Sequence, residues 1–164
     1  MNLTILGALG AGVYLAVRSG NAGTGSEAPR GIRNNNPGNI EKGANWQGLA
    51  TDQSPDSRFA VFISPVWGIR AMARTLNTYR NRDGLPGLGG PGIDTVREVI
   101  SRWAPSGENK TEAYIRAVSD YTGLDPEQTL YSGDYAALIK GIIHHENGVQ
   151  PYPDSLINQG IELA

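Results

Sequence analysis

The chain has 164 residues, enough for one domain, with a net charge of -2 and a pI of about 5.6. That acidic balance excludes a general affinity for nucleic-acid phosphate, and the absence of cysteine excludes disulfides, zinc–thiolate sites and thiol nucleophiles. The 22 glycines and 10 prolines imply many turns between short elements.

Residues 1–17 carry no charge, and Arg18 ends the run. A bilayer-spanning helix needs about 17 to 25 apolar residues, so residues 1–18 read as a membrane anchor near the lower limit of length. A cleaved signal peptide and a buried N-terminal helix are the alternatives; a signal peptide normally has positive charge ahead of its apolar core, and none is present. Gly7 with Ala11 and Ala8 with Gly12 put small residues four apart, a spacing that lets two membrane helices approach closely. Arg18, Arg30 and Arg33 follow the segment, which in a cell membrane places the following domain on the cytoplasmic side. Residues 19–29 (SGNAGTGSEAP) form a flexible polar linker, so the folded domain spans 30–164.

The domain is expected to be mainly α, of the α+β class, with about five short helices and a small β-hairpin. Asn34-Asn35-Asn36-Pro37-Gly38-Asn39 is turn-rich, because Gly and Asn tolerate positive φ and Asn side chains bond nearby backbone. Arg58 to Ile63, apolar throughout after Arg58 and bearing Phe59 and Phe62, is the strand candidate, and the region of Trp46 is its hairpin partner. Ser64-Pro65 opens a helix in which Ile69, Met72, Leu76 and Tyr79 form one apolar stripe, with Arg70 and Arg74 on another face. Residues 84–92, rich in Gly and Pro, form a loop. Asp94 or Thr95 caps a short helix through Val96, Val99, Ile100 and Trp103. Asn109 and Glu112 resemble a capping box for the next helix, which carries Tyr114, Ile115, Val118 and Tyr121 and ends at Gly123. Asp134 caps a fourth helix, from Tyr135 to about His145, closing at Asn147-Gly148. Pro153-Asp154 starts a last short helix.

The fourth helix carries the residue that looks chemical. Ile139, Ile142, Ile143 and Glu146 fall at i, i+3, i+4 and i+7, so Glu146 points to the isoleucine side, which must face the core. Partial desolvation and the negative end of the helix dipole both disfavour a charged carboxylate there. A Glu that normally titrates near 4.3 would then hold its proton toward neutral pH and serve as a general acid, for example toward a glycosidic oxygen. The plain alternative is a Glu that bends to water or pairs with Arg. Glu108, Glu41 and Asp154 are weaker candidates. Asn36, Asn39, Trp46 and Gln47 offer amides and a flat ring suited to binding a sugar, although each also suits a turn or a core. Adjacent His144 and His145 point about 100° apart and do not make a metal pair; no metal or cofactor is expected.

Residues 30–161 resemble a family of phage and prophage proteins. The resemblance rests on RGIRNNNPGNI (30–40), WQG (46–48), the Phe59 to Arg74 stretch with its GIRAMAR, RWAP with EN and YI (102–115), and HENGVQPY (145–152). It implies a phage structural protein of the kind found in tailless, membrane-containing virions. Its partners would then be the lipid bilayer and other virion or membrane proteins, and its location the virion membrane or a single-pass anchor facing the periplasm. The domain is also similar, more faintly, to the lysozyme superfamily, especially N-acetylglucosaminidases and lytic transglycosylases. Asn36, Asn39, Ile40, Trp46, Gly48, Phe59, Phe62, Gly68 and Ile69 follow the order of that block. In those enzymes the catalytic Glu ends a helix before the block; here Glu146 ends one after it, so the role would require a circularly permuted order.

Two functions follow from these resemblances. One is a virion-associated peptidoglycan glycosidase that acts during genome entry, with Glu146 as acid and Asn36, Asn39, Trp46 and Gln47 in the groove. The other is a non-catalytic virion component that links membrane to capsid. A third class, nucleic-acid binding, would need Arg70, Arg74, Arg80 and Arg82 on one face.

Overall fold

The computed structural model describes residues 28–81, 92–105 and 108–164. Six α-helices occur among them: α1 Arg30–Arg33, α2 Pro65–Arg80, α3 Val96–Trp103, α4 Glu108–Thr122, α5 Tyr135–Asn147 and α6 Asp154–Glu162. A 3-10 turn at Ser132–Asp134 leads into α5.

The helix boundaries follow local chemistry. Pro65 sits at the first position of α2, where its missing N–H costs nothing. Thr95 caps α3 by accepting from the Glu98 N–H while the Glu98 side chain reaches back to the Thr95 N–H. The helix expected to start from an Asn109–Glu112 pair begins at Glu108 instead, which places Asn109 inside it. Asp134 does not cap α5; its carboxylate accepts from the Tyr131 N–H at 2.7 Å. Gly148, in the left-handed region with φ 69, ends α5.

α5 is the centre of the domain. It packs against α1, α2, α4 and α6, and Leu138, Ile139, Ile142 and Ile143 are each 0% exposed. Ile69, Met72 and Leu76 of α2, Val96, Val99 and Ile100 of α3, Ile115 and Val118 of α4 and Ile157 of α6 complete one core. A smaller cluster of Ala60, Phe62 and Ala71, flanked by Ile40, Trp46, Leu49 and Trp67, lies beneath residues 34–63.

The β-hairpin is not formed. Among the described residues there are no strands, only isolated antiparallel bridges between Glu41 and Phe59 and between Leu49 and Phe62. Residues 58–63 are extended, but their backbone partners come from scattered places. Ala60 N–H donates to Ile40 O, Phe62 N–H to Asn34 O and Ile63 N–H to Gly48 O, while Val61 N–H donates to the Gln53 side chain. Side-chain amides take the positions that a second strand would fill, so no ladder propagates. The N-terminal membrane helix expected over residues 1–18 lies outside the described residues, as does most of the expected linker. No helix among the described residues is long and apolar enough to cross a membrane.

Candidate functional site

The turn from Asn34 to Asn39 is built on its asparagines. Asn35 and Asn39 adopt positive φ (52 and 48), a conformation that Asn tolerates better than most residues. Asn36 is 0% exposed and acts as a clamp. Its Nδ2 donates to Ile40 O and Ala60 O, both at 2.8 Å, and its Oδ1 accepts from the Ile40 N–H at 2.9 Å. Asn34 donates to Asp56 at 2.8 Å and Asn35 to Phe62 O at 2.9 Å. Asp56 also accepts from the Arg58 and Phe59 N–H groups, and these bonds lower its pKa from 3.8 to about 2. At Gly68 of α2 a side chain would collide with Asn35 O, so only glycine lets this turn lie against the helix.

The turn is also tied to the end of α5. Asn147 is buried, and its Nδ2 donates to Pro37 O at 2.8 Å and to Ile143 O at 2.9 Å. Its Oδ1, like that of Asn39, has no hydrogen-bond donor. Both oxygens sit against Gly31 of α1, where a Cβ would collide with Asn147 Oδ1 and lie 3.2 Å from Asn39 Oδ1.

One residue before Asn147, Glu146 is half-buried and accepts two hydrogen bonds. Asn39 Nδ2 donates to one carboxylate oxygen at 2.9 Å and the Tyr114 hydroxyl to the other at 2.8 Å. Burial first, then the adjacent Glu146 carboxylate, raises the Tyr114 pKa well above its usual 10.0, so this phenol remains a donor. Tyr114 is itself held by His145, whose ring stacks on it at 3.6 Å; two turns further along α4, Tyr121 stacks on His144 at 4.3 Å. Desolvation lowers the His145 pKa, which keeps the ring neutral at pH 7. No cation among the described residues lies within ion-pair distance of Glu146. A carboxylate offers about four acceptor positions, so two remain after Asn39 and Tyr114.

Glu146 lines a cleft of about 550 Å³. The other walls are Gly38 to Glu41, Arg58 and Phe59, Arg30 of α1, Thr75 and Tyr79 of α2, and Trp103 to Pro105 after α3. Trp103 meets Tyr79 edge-on at 6.5 Å, giving the cleft an aromatic wall. Glu41, the second carboxylate in the lining, is ion-paired with Arg58.

Of the residues singled out from the sequence, Glu146 and Asn39 come together in this cleft. Asn36 does not reach it, because all its polar atoms serve the backbone of the turn. Trp46 packs in the smaller cluster and Gln47 is exposed; neither lines the cleft. Asp154 is exposed and paired with Lys140 at 3.0 Å; the side chain of Glu108 lies outside the described residues. Arg70 and Arg74 donate to Leu163 O and Ala164 O, both at 2.9 Å, and so fasten the end of α6. Arg80 lies over Tyr131, and Arg82 is outside the described residues. Sequence reasoning missed Tyr114, which it placed on a helix without a role in the site. It also missed Arg30 and Trp103 as cleft residues, since nothing in their spacing ties them to Glu146.

The fold and site define a small helical protein in whose partly aromatic cleft one carboxylate has no ion-pair partner among the described residues. Over 141 residues the chain is 43% identical to Protein P5 of Pseudoalteromonas phage PM2, a match covering 84% of this chain and 82% of that protein. The chain belongs to the family of this phage protein. No protein-family model matches the chain. The expected phage relationship is therefore shown, and the expected lysozyme relationship is not.

Proposed function

We propose that the protein is a component of a phage particle whose cleft binds the glycan of peptidoglycan and cleaves a glycosidic bond, with Glu146 as general acid. Membership in the P5 family supports the first half of this reading. The second half is carried by one observation: Glu146 stands in a cleft with no ion-pair partner among the described residues, fixed by Tyr114 and Asn39. A carboxyl group held in this way is pre-positioned, which is what general acid catalysis requires.

Cleavage needs a proton on the departing oxygen. Glu146 in its acid form gives that proton as the bond to the anomeric carbon breaks, and the bonding pair leaves with the oxygen. The carboxylate so formed takes a proton from the oxygen that attacks the anomeric carbon. Glu41 is committed to Arg58 and does not provide a second free carboxylate. Glu146 must then act in both half-steps, and the attacking oxygen is water or a hydroxyl of the same sugar. Tyr114, which stays protonated, anchors one carboxylate oxygen throughout. The test is mass spectrometry of products released from purified peptidoglycan by the full chain. Soluble fragments, absent with Glu146→Gln of equal melting temperature, support cleavage; their mass tells water from a sugar hydroxyl as nucleophile. No release by a folded chain contradicts it.

The relationship to P5 favours a second reading, in which the protein is a structural part of the particle, contacts other virion proteins and uses the cleft for binding alone. Glycan binding without product release supports that reading.

A further inference from the structure

Phe59 forms part of the cleft wall, and two guanidinium groups lie on its ring. Arg30 Cζ is 4.0 Å and Arg58 Cζ 4.9 Å from the ring centroid. Stacking of this kind fixes a guanidinium plane and leaves its edge N–H groups to bind elsewhere. The two arginines differ in what holds those groups. Arg58 is ion-paired with Glu41 through both Nε and a terminal nitrogen. Among the described residues Arg30 has Asp56 alone, at 4.0 Å, which is beyond hydrogen-bond length. The Asp56 oxygens are already taken by Asn34 and by the Arg58 and Phe59 N–H groups. The Arg30 side chain is 50% exposed and lines the same cleft as Glu146. Among the described residues the cleft therefore holds one anion without an ion-pair partner, Glu146, and one cation whose donors are largely unpaired, Arg30.

We infer that the cleft is specific for an acidic glycan, one with a carboxylate on or next to a sugar bound beside the cleaved bond, and that Arg30 binds this carboxylate. The inference rests on the glycan reading of the cleft and narrows it. A single planar guanidinium matches a carboxylate, which it can meet with two parallel hydrogen bonds. A doubly charged phosphate would call for a second free cation, and Arg58 is neutralised by Glu41. A neutral glycan would leave Arg30 without use. The carboxylate has two sources in peptidoglycan: the lactyl ether of the muramyl sugar, or a peptide attached to it.

The experiment is equilibrium binding by calorimetry to the full chain carrying Glu146→Gln, so that no ligand is consumed. Three ligands of equal length are compared: a neutral tetrasaccharide of N-acetylglucosamine, an alternating tetrasaccharide with bare N-acetylmuramic acid, and the same glycan with its peptides. The acidic glycans should bind about fivefold to tenfold tighter than the neutral one, the weight of one charge-assisted pair in a half-exposed site. Adding Arg30→Gln should bring all three within about twofold, and Arg30→Lys should keep part of the preference. A gain with the peptide-bearing glycan alone assigns the bound carboxylate to the peptide. Equal affinity for all three ligands, or a preference that survives Arg30→Gln in a chain of unchanged melting temperature, overturns the inference and leaves the glycan reading standing. Binding of none of them overturns both.

Discussion

The two parts of the domain that meet at Glu146 are held together by different forces. Around α5 the side chains are apolar and packed, with Ile139, Ile142 and Ile143 wholly buried. Over residues 34–63 the chain has little regular structure, and amide side chains and one carboxylate do the work of a sheet. Burial is non-directional, so the helical part tolerates conservative apolar exchange. The amide-bonded part depends on particular atoms at particular angles, which is why it can place Asn39 against Glu146.

The largest expected effect lies in the helical part. Ile142→Ala removes a fully buried side chain and should cost about 2 to 5 kcal/mol of stability by denaturant unfolding. Hydrogen exchange should rise through the whole domain, because α5 touches most of the other helices. A loss under 1 kcal/mol would mean that α5 is not the centre of the core. In the loop region, Asn36→Ala strips the Ile40 N–H and the Ala60 carbonyl of their Asn36 partner and leaves the Ile40 carbonyl with the Ala60 N–H alone. With unsatisfied buried groups costing about 1 to 3 kcal/mol each and some reached by water, a loss of about 3 kcal/mol is expected. Exchange should rise first over residues 34–63. Uniform exchange in both variants would remove the distinction between the two regions.

A smaller effect is expected where the regions join. Gly31→Ala drives a methyl group into Asn147 Oδ1 and should cost about 1 to 3 kcal/mol. It should also weaken glycan binding, because Asn39 Oδ1 is crowded at the same point. The smallest effect is the pH dependence of Asp56. Its folded-state pKa is depressed from 3.8 to about 2, so its contribution is present above 3.8 and lost as pH falls toward 2. The melting temperature of Asp56→Asn should therefore fall less steeply over this window than that of the parent chain. Parallel curves would show that Asp56 does not hold the turn.

This contrast also decides what could be read from the sequence. Helix α2, opened by Pro65, α3, capped by Thr95, and α5, closed by Gly148, carry their boundaries in short-range chemistry and their faces in 3.6-residue periodicity. Glu146 was legible for the same reason, since its face is fixed by the isoleucines before it. Residues 58–63 mimic a strand because they are extended and, after Arg58, continuously apolar. Whether a ladder forms depends on partners elsewhere, and here Asn36 and Gln53 compete for the backbone. Asn36 and Asn39 look alike in sequence, yet one clamps the turn and the other meets Glu146. Tyr114 lies 32 positions from Glu146, and only the packing of α4 on α5 joins them.

The most direct measurement is the clearing of a peptidoglycan suspension by the full chain, beside Glu146→Gln and Tyr114→Phe matched in melting temperature. The expected result is clearing by the parent chain, none by Glu146→Gln, and a rate reduced about tenfold or more by Tyr114→Phe, which leaves the acid in place but loosens it. Clearing by Glu146→Gln at the parental rate, or no clearing by any of the folded proteins, would contradict a catalytic role for this carboxylate.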